Sequence, residues 1–433
     1  MTNDKSLNPC RHHSTFELRH SYFRRPLAAI FLTIILLVHS QSHTSHAERL
    51  RGETTSKIVL GSDQLSDLKW LEGKKIGLVT NHTGLNSHLQ RTADVIHQNP
   101  KLHLSALFTP EHGLMGAAQA GVEVKGESDE ATGVPVFSLY SESREPTAEM
   151  LRGIDVLLFE LQDLGVRFYT NTAILESAMR GAARAHLPLV VLDRPSPLTG
   201  ARIAGPMLDP AHKSFVGPFP VPVQYGMTYA ELAQYINAEL AIRCDLRVVK
   251  LKNWRRNEWF DQTGLPWITP SPNIPTLDSA IVYPGLCWIE GTNLSEGRGT
   301  THPFEWIGAP WLDNRRLANE LNAKQLPGVF FRPIAFQPTF SKYKDGFCRG
   351  VQVHVLDRNQ FDPFRSVLEL IVAVRRNHPD RFQFLERGFD RLTGSDKTRK
   401  QIEAGLPVEK IMELWKADLA AFQARRAKYL IYE

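Results

Sequence analysis

From residue 74 onward, short runs of β-forming residues alternate with stretches whose apolar positions recur at helical spacing. The β-type runs are 75–80 (KIGLVT), 102–108 (LHLSALF), 134–139, 155–161 (DVLLFEL) and 189–192 (LVVL). DVLLF and LVVL are apolar almost throughout, the pattern of strands covered on both faces. Between the runs, 91–98, 146–153 and 172–186 suit helices, the last rich in alanine as close packing on a sheet demands. This alternation predicts a parallel sheet with crossover helices, so residues 55–220 are expected to form an α/β, Rossmann-like doubly wound domain. The proline-rich passage 217–223 (GPFPVPV) breaks the pattern, and Thr228-x-x-Glu231 then opens a helix over 229–242 as a capping box. Residues 225–433 mix strands at 247–250 and 351–355 with helices near 313–325, 364–377 and 408–425. Gly- and Pro-rich loops fall at 269–276 and 290–303, and a smaller α+β C-terminal domain is expected.

The first fifty residues differ. A basic stretch ending in Arg24-Arg25 precedes a run of 12 residues, 27–38, that is apolar but for Thr33, and a polar segment then closes on Ser45-His46-Ala47. The run is shorter than the roughly 20 residues of a membrane-spanning helix. The small-x-small triplet is a cleavage signal, so residues 1–47 read as a secretory signal peptide cut after Ala47, with an uncleaved anchor as the alternative. The Arg pair hints at twin-arginine export, but Pro26 follows it and the remaining consensus is missing. Removing 1–47 takes away five basic and two acidic residues and lowers the formal charge from +5 to +2. No electrostatic footprint for nucleic acid or an anionic membrane is left, and no stable membrane insertion is expected after cleavage. A length of 433 residues, 42% hydrophobic and 22% charged, fits a two-domain globular protein with room for a cleft. Beyond the leader, Cys244, Cys287 and Cys348 allow at most one disulfide and suit buried thiols.

In open α/β sheets ligands gather outside the carboxyl ends of the strands. The residues there are polar each time: Asn81-His82-Thr83-Gly84, Pro110-Glu111-His112-Gly113, Glu160-Leu161-Gln162-Asp163 and Asp193-Arg194-Pro195. Neither a dinucleotide fingerprint nor a P-loop accompanies them, and the nucleophile elbow and the H-E-x-x-H zinc motif are missing too. Ser341 to Lys344 matches S-x-x-K of penicillin-recognising enzymes without that fold's other motifs. Carboxylates are left as the reactive groups. Glycoside hydrolysis needs an acid to protonate the leaving oxygen and often a second carboxylate. Glu111, placed after an apolar strand and Pro110, is the leading acid. Glu160 and Asp163 supply a second carboxylate or hold Arg167 in place. In the second half, Asn273 and the string Glu290-Gly291-Thr292-Asn293-Leu294-Ser295-Glu296-Gly297-Arg298 offer hydrogen-bonding groups for a polyhydroxylated ligand. Trp288, Phe304, Trp306 and Trp311 flank that string, as sugar-stacking faces or as core.

The strings GLVTNHTG, FTPEHGLMG, LLFELQDLGVRFYT, LDRPSPLTG, YGMTYAEL, ITPSPNIPTLDSAIVYPGLCWIEGTNLSEGRGTTHPFEWIGAP and FDRLTGSDKTRKQIEAG resemble the peptidoglycan exo-β-N-acetylmuramidase family, the NamZ-like glycosidases long carried as a domain of unknown function. The resemblance runs from about residue 58 to the C-terminus. It implies an active-site cleft between a Rossmann-like N-terminal domain and a smaller C-terminal one, a catalytic glutamate in P-E-H-G, here Glu111, and peptidoglycan-derived saccharides as substrate. No cofactor and no metal are expected. Asn81, His112 and Asp163 are expected to position sugar and water, with His82, Tyr169, Asp193, Asn273, Glu290, Asn293 and Glu296 in the substrate-binding set. Arg298 or Arg167 is expected to meet the lactyl carboxylate that distinguishes N-acetylmuramic acid from N-acetylglucosamine. Ser196 replaces the asparagine usual in the family, and Gln224-Tyr225 replaces Arg-His. Two other readings fit the same residues: a periplasmic binding protein that captures a muropeptide or sugar without turnover, and a metal-dependent hydrolase using His82, Glu111, His112 and His302.

Overall fold

The computed structural model describes residues 58–119, 121–122, 128–140 and 143–433, and the leader reading lies outside them. Strands β1 (Lys75–Thr80), β2 (His103–Thr109), β3 (Val136–Ser138), β4 (Val156–Glu160) and β5 (Leu189–Leu192) are all parallel. After the antiparallel pair β6 (Ala204–Met207) and β7 (Pro222–Gln224) comes β8 (Leu246–Val249). β8 pairs parallel with β5, completing a six-stranded sheet of order β3-β2-β1-β4-β5-β8. The strand expected in the second domain thus belongs to the first sheet.

Alternate side chains of these strands feed two cores. Ile76, Leu78, Leu107, Val156, Leu158 and Val190 pack with Ile96 of helix α1 (Thr92–Gln98). Val79, Phe108, Leu157, Phe159 and Val191 pack on the other face with helices α2 (Asn171–Arg184) and α3 (Tyr229–Glu239). The double burial read from DVLLF and LVVL is therefore present, and the Thr228–Glu231 capping box forms at the start of α3. Residues 146–153 form turns rather than the expected helix. They make one bond of helical spacing, Leu151 N–H to the Thr147 carbonyl, before Gly153 turns left-handed, and a single bonded turn does not sustain a helix.

The second half is built on helix α4 (Leu277–Leu286), a three-stranded antiparallel sheet of order β10-β11-β9 (β9, Trp306–Ala309; β10, Val329–Phe336; β11, Cys348–Val355) and the long helix α6 (Pro363–Asn377), which follows α5 (Asn314–Ala323). Its centre is the fully buried Trp288, whose ring meets those of Phe364, Phe389 and Trp415. Residues 57–433 form one compact unit. Cys244, Cys287 and Cys348 are free thiols. Among the described residues no helix is long and apolar enough to cross a membrane.

Candidate active site

The strand order reverses between β1 and β4, and the loops leaving the carboxyl ends of β1, β2 and β4 meet at that switch point. After β1, Asn81 folds its own turn: Oδ1 accepts from Thr83 N (2.9 Å) and Thr83 Oγ1 (2.6 Å). The next residue, His82, donates Nε2–H to the Thr269 carbonyl at 2.7 Å, tying the β1 loop to the 269–276 loop. A Cβ on Gly116 would come within 2.1 Å of the His82 ring, so only glycine lets the β2 loop close against it. Burial lowers the pKa of His82, keeping the ring neutral.

Glu111 follows β2 and is 9% exposed. Its Oε1 accepts from Gly121 N–H at 2.8 Å and its Oε2 from the Thr170 hydroxyl at 2.8 Å. Tyr140, just beyond β3, is close enough to feel this carboxyl; burial first, and Glu111 second, push the tyrosine up to about 12, so its hydroxyl keeps its proton. His112 holds a left-handed backbone (φ 74°), a conformation that persists only where surrounding contacts impose it. The imposing contact is local: Nδ1 bonds the Ala118 carbonyl at 2.7 Å. Burial lowers the pKa of His112, with Glu111 opposing.

The same loop forms part of a cavity of about 500 Å³ lined by Gln119, Gly121, Glu290, Glu296, Arg298, Phe340 and Ser341. Arg298 donates Nε–H (2.9 Å) and Nη2–H (2.6 Å) to Glu290 Oε1, lies over the Phe304 ring, and leaves Nη1 buried without a partner among the described residues. Burial alone would lower the Arg298 pKa, but Glu290 and its neighbours raise it, so the guanidinium remains charged. Burial raises the pKa of Glu290, with Arg298 opposing. Glu296 is ion-paired to Lys342 at 3.0 Å, and Lys342 Nζ also donates to the carbonyls of Ile289, Glu290 and Leu294. Ser341 faces Glu296 at 3.4 Å and Lys344 is exposed, so the S-x-x-K match makes no Ser–Lys pair. Asn273 reaches Gln119 at 3.4 Å, and the Tyr169 hydroxyl donates to the Pro270 carbonyl at 2.9 Å, both crossing to the 269–276 loop.

Other expected site residues are held by the fold instead. Glu160 is fully buried and paired to Arg194 at 2.8 Å, because a charge emerging from an apolar strand requires a partner. Asp163 accepts from Leu164 N–H and the Tyr225 hydroxyl, and burial pushes it up to about 6. Arg167 is fully buried and donates to three carbonyls, those of Pro206, Val221 and Leu392, rather than to Glu160 or Asp163. Asp193 holds Ala230 N–H, at the start of α3, and the Tyr432 hydroxyl. Asn293 is stapled to the backbone of Arg381 and Gln383. Trp288 and Phe304 are core, Trp306 stacks on His302 at 4.7 Å, and Trp311 bonds Tyr343. Among the described residues no group of three or more His, Cys, Asp or Glu is arranged to hold a metal.

Sequence reasoning missed Tyr140, Thr170 and Gln119, and singled out Ser341 only for its S-x-x-K match. Thr170 carried a usable signal, a hydroxyl residue just before an alanine-rich helix. The other three lie in loops whose approach to the site is tertiary.

Models of the N-terminal and C-terminal domains of exo-beta-N-acetylmuramidase NamZ match residues 76–278 and 281–432. The chain is 46% identical over 407 residues to the peptidoglycan beta-N-acetylmuramidase NamZ of Bacillus subtilis, which covers 93% of this chain and 98% of the relative. Crystal structures of two DUF1343 family proteins from Bacteroides fragilis are similar to it, one at 37% identity and TM-score 0.81, the other at 31% and 0.72. Each alignment covers 87% of this chain and 99% of the other. With both domain models matched in order along one chain and a relative aligned over nearly its whole length, the chain belongs to the NamZ family of exo-β-N-acetylmuramidases.

Proposed function

We propose that the chain is an exo-acting glycoside hydrolase that releases N-acetylmuramic acid from the non-reducing ends of peptidoglycan fragments, with Glu111 as the general acid. One observation carries the assignment to this site: Gly121, whose N–H holds Glu111, lines the same cavity as Arg298, whose Nη1 has no hydrogen-bond partner among the described residues. A volume of about 500 Å³ is in the range of small-molecule sites. The free guanidinium N–H suits the lactyl carboxylate, because charge-assisted bonds to carboxylate are among the strongest a side chain makes. Asn81 Nδ2 and His112 Nε2 are left for the sugar and the attacking water, since their partner atoms are occupied by Thr83 and Ala118. We further propose that residues 1–47 are removed during export to the periplasm or medium; the mass of the chain recovered from those fractions tests it.

The decisive assay incubates the chain lacking 1–47 with a disaccharide carrying muramic acid at the non-reducing end and with the reversed disaccharide. Cleavage of the first alone is expected. Binding without product would mean a capture protein, and cleavage of the second would refute the specificity. Glu111→Gln should lower kcat by about 100-fold or more, the typical contribution of acid–base catalysis. Near wild-type release by this variant would remove Glu111 from the mechanism.

A further inference from the structure

Thr170 immediately precedes α2, where a threonine side chain ordinarily accepts a hydrogen bond from the helix's first N–H groups. It makes no such bond. Its hydroxyl is turned to Glu111 Oε2 instead, at 2.8 Å. The two oxygens of Glu111 therefore have partners of different kinds. Oε1 faces the Gly121 N–H, which can only donate, so Oε1 is fixed as an acceptor in every state. Oε2 faces a hydroxyl, which can donate to a carboxylate or accept from a carboxylic acid by rotating about one bond.

Resting on the assignment of Glu111 as the acid, we propose that Oε2 is the oxygen that carries the catalytic proton, and that Thr170 is the positioning residue whose hydroxyl follows that proton. With Glu111 protonated and no substrate bound, Thr170 Oγ1 accepts from Oε2–H; on binding, the glycosidic oxygen takes its place as the acceptor of that proton. In the chemical step the Oε2–H bond breaks and its electron pair remains on Glu111. The glycosidic oxygen takes the proton as it leaves with the electrons of its bond to the anomeric carbon. Water supplies the hydroxyl at that carbon and returns one proton to solution or to Glu111. The Thr170 hydroxyl then donates to the new carboxylate. Oε1 keeps the Gly121 N–H throughout, and rotation of one hydroxyl is the only adjustment that Oε2 requires of its protein partner.

The test compares Thr170→Val, Thr170→Ser and Glu111→Gln for kcat, KM and thermal midpoint on the muramic acid disaccharide. Valine keeps the branched shape and removes only the hydroxyl, so the fold is expected to survive. Thr170→Val should lower kcat about tenfold or more with KM changed less than about threefold, the signature of an interaction needed in the transition state rather than in binding. Thr170→Ser should restore kcat to within about threefold of wild type, which a purely structural role of the branched side chain would not do. A Thr170→Val enzyme with wild-type kcat, beside an inactive Glu111→Gln, would overturn the role of Thr170 and leave the acid assignment standing. An active Glu111→Gln would overturn both.

Discussion

Arg167 donates hydrogen bonds to Pro206 and Val221 through Nη1 and to Leu392 through Nη2, with no surface reaching solvent. Burial pulls its pKa down to about 9, a measure of how much hydration it has given up. Arg298 is also enclosed, but its partners are the Glu290 and Glu296 carboxylates and the Phe304 ring, it lines the cavity, and its Nη1 has no hydrogen-bond partner among the described residues. The two should therefore respond differently to substitution. Arg167→Met leaves three buried carbonyls dry and should cost about 3 kcal/mol or more in urea denaturation, since each unsatisfied group costs about 1–3 kcal/mol. Arg298→Lys keeps the charge but loses the guanidinium fork; it should raise KM for the muramic acid disaccharide about tenfold, with a denaturation midpoint close to wild type. Equal loss of stability in both would erase the distinction. Sequence alone could not make it: the strand-end rule finds polar residues that need partners, and it does not say whether the partner is a ligand or the protein. Arg298 lines the cavity and Glu111 is held by Gly121 beside it, whereas Glu160, Asp163, Asp193 and Asn293 found Arg194, Tyr225, Tyr432 and the 381–383 backbone, all distant in sequence.

Among the elements, those with a strong period were legible and those fixed by long-range pairing were not. The apolar strands β1, β4 and β5 and the capping box of α3 announce themselves locally. β8 does not, because its short run (LRVV) is no more apolar than a strand of the second domain would be, and only pairing with β5 places it. The last four residues are a sharper case. Tyr432 donates to Asp193 Oδ2 at 2.5 Å, accepts from Leu251 N–H at 2.9 Å, and sets its ring edge against Trp254. Ile431 N–H bonds Glu231, and the Glu433 carbonyl accepts from Arg256 N–H. The C-terminus is thus fastened to the carboxyl end of β5 and the start of α3. Tyr432→Phe should lower stability by about 1–3 kcal/mol, the cost of leaving a buried carboxyl short of a donor. Deleting residues 430–433 should lower it further and reduce the yield of folded protein. An unchanged unfolding curve for the deletion would show that the tail contributes no stability.

For the whole molecule, the buried titratable groups set how stability varies with pH. Burial pushes Asp193 up to about 7, against hydrogen bonds from Tyr432, Thr228 and Ala230, and with Glu231 adding to the rise. It pushes Asp163 up to about 6, against bonds from Tyr225, Gly165, Leu164 and Tyr229. Aspartates in an unfolded chain titrate near about 3.9. Between about pH 4 and 7 the native protein consequently holds protons that the unfolded chain has lost, and these two groups make stability fall as pH rises across that window. His82 and His112 act in the opposite sense, because burial lowers both. Their contribution is complete above the unfolded value of about 6.5 and is lost as the solution is acidified below it. The opposing slopes meet below about pH 6.5, and wild-type stability should decline from about pH 6.5 to 7.5, where only Asp193 still contributes. Asp193→Asn removes that contribution while keeping one acceptor oxygen for Tyr432 or Ala230. The variant should be less stable than wild type at pH 5, and the gap should narrow steadily as urea denaturation is repeated up to pH 8. A gap that stays constant over that range would mean that Asp193 is already ionised in the native protein at pH 5, and that Tyr432 and the start of α3 hold it as a charge.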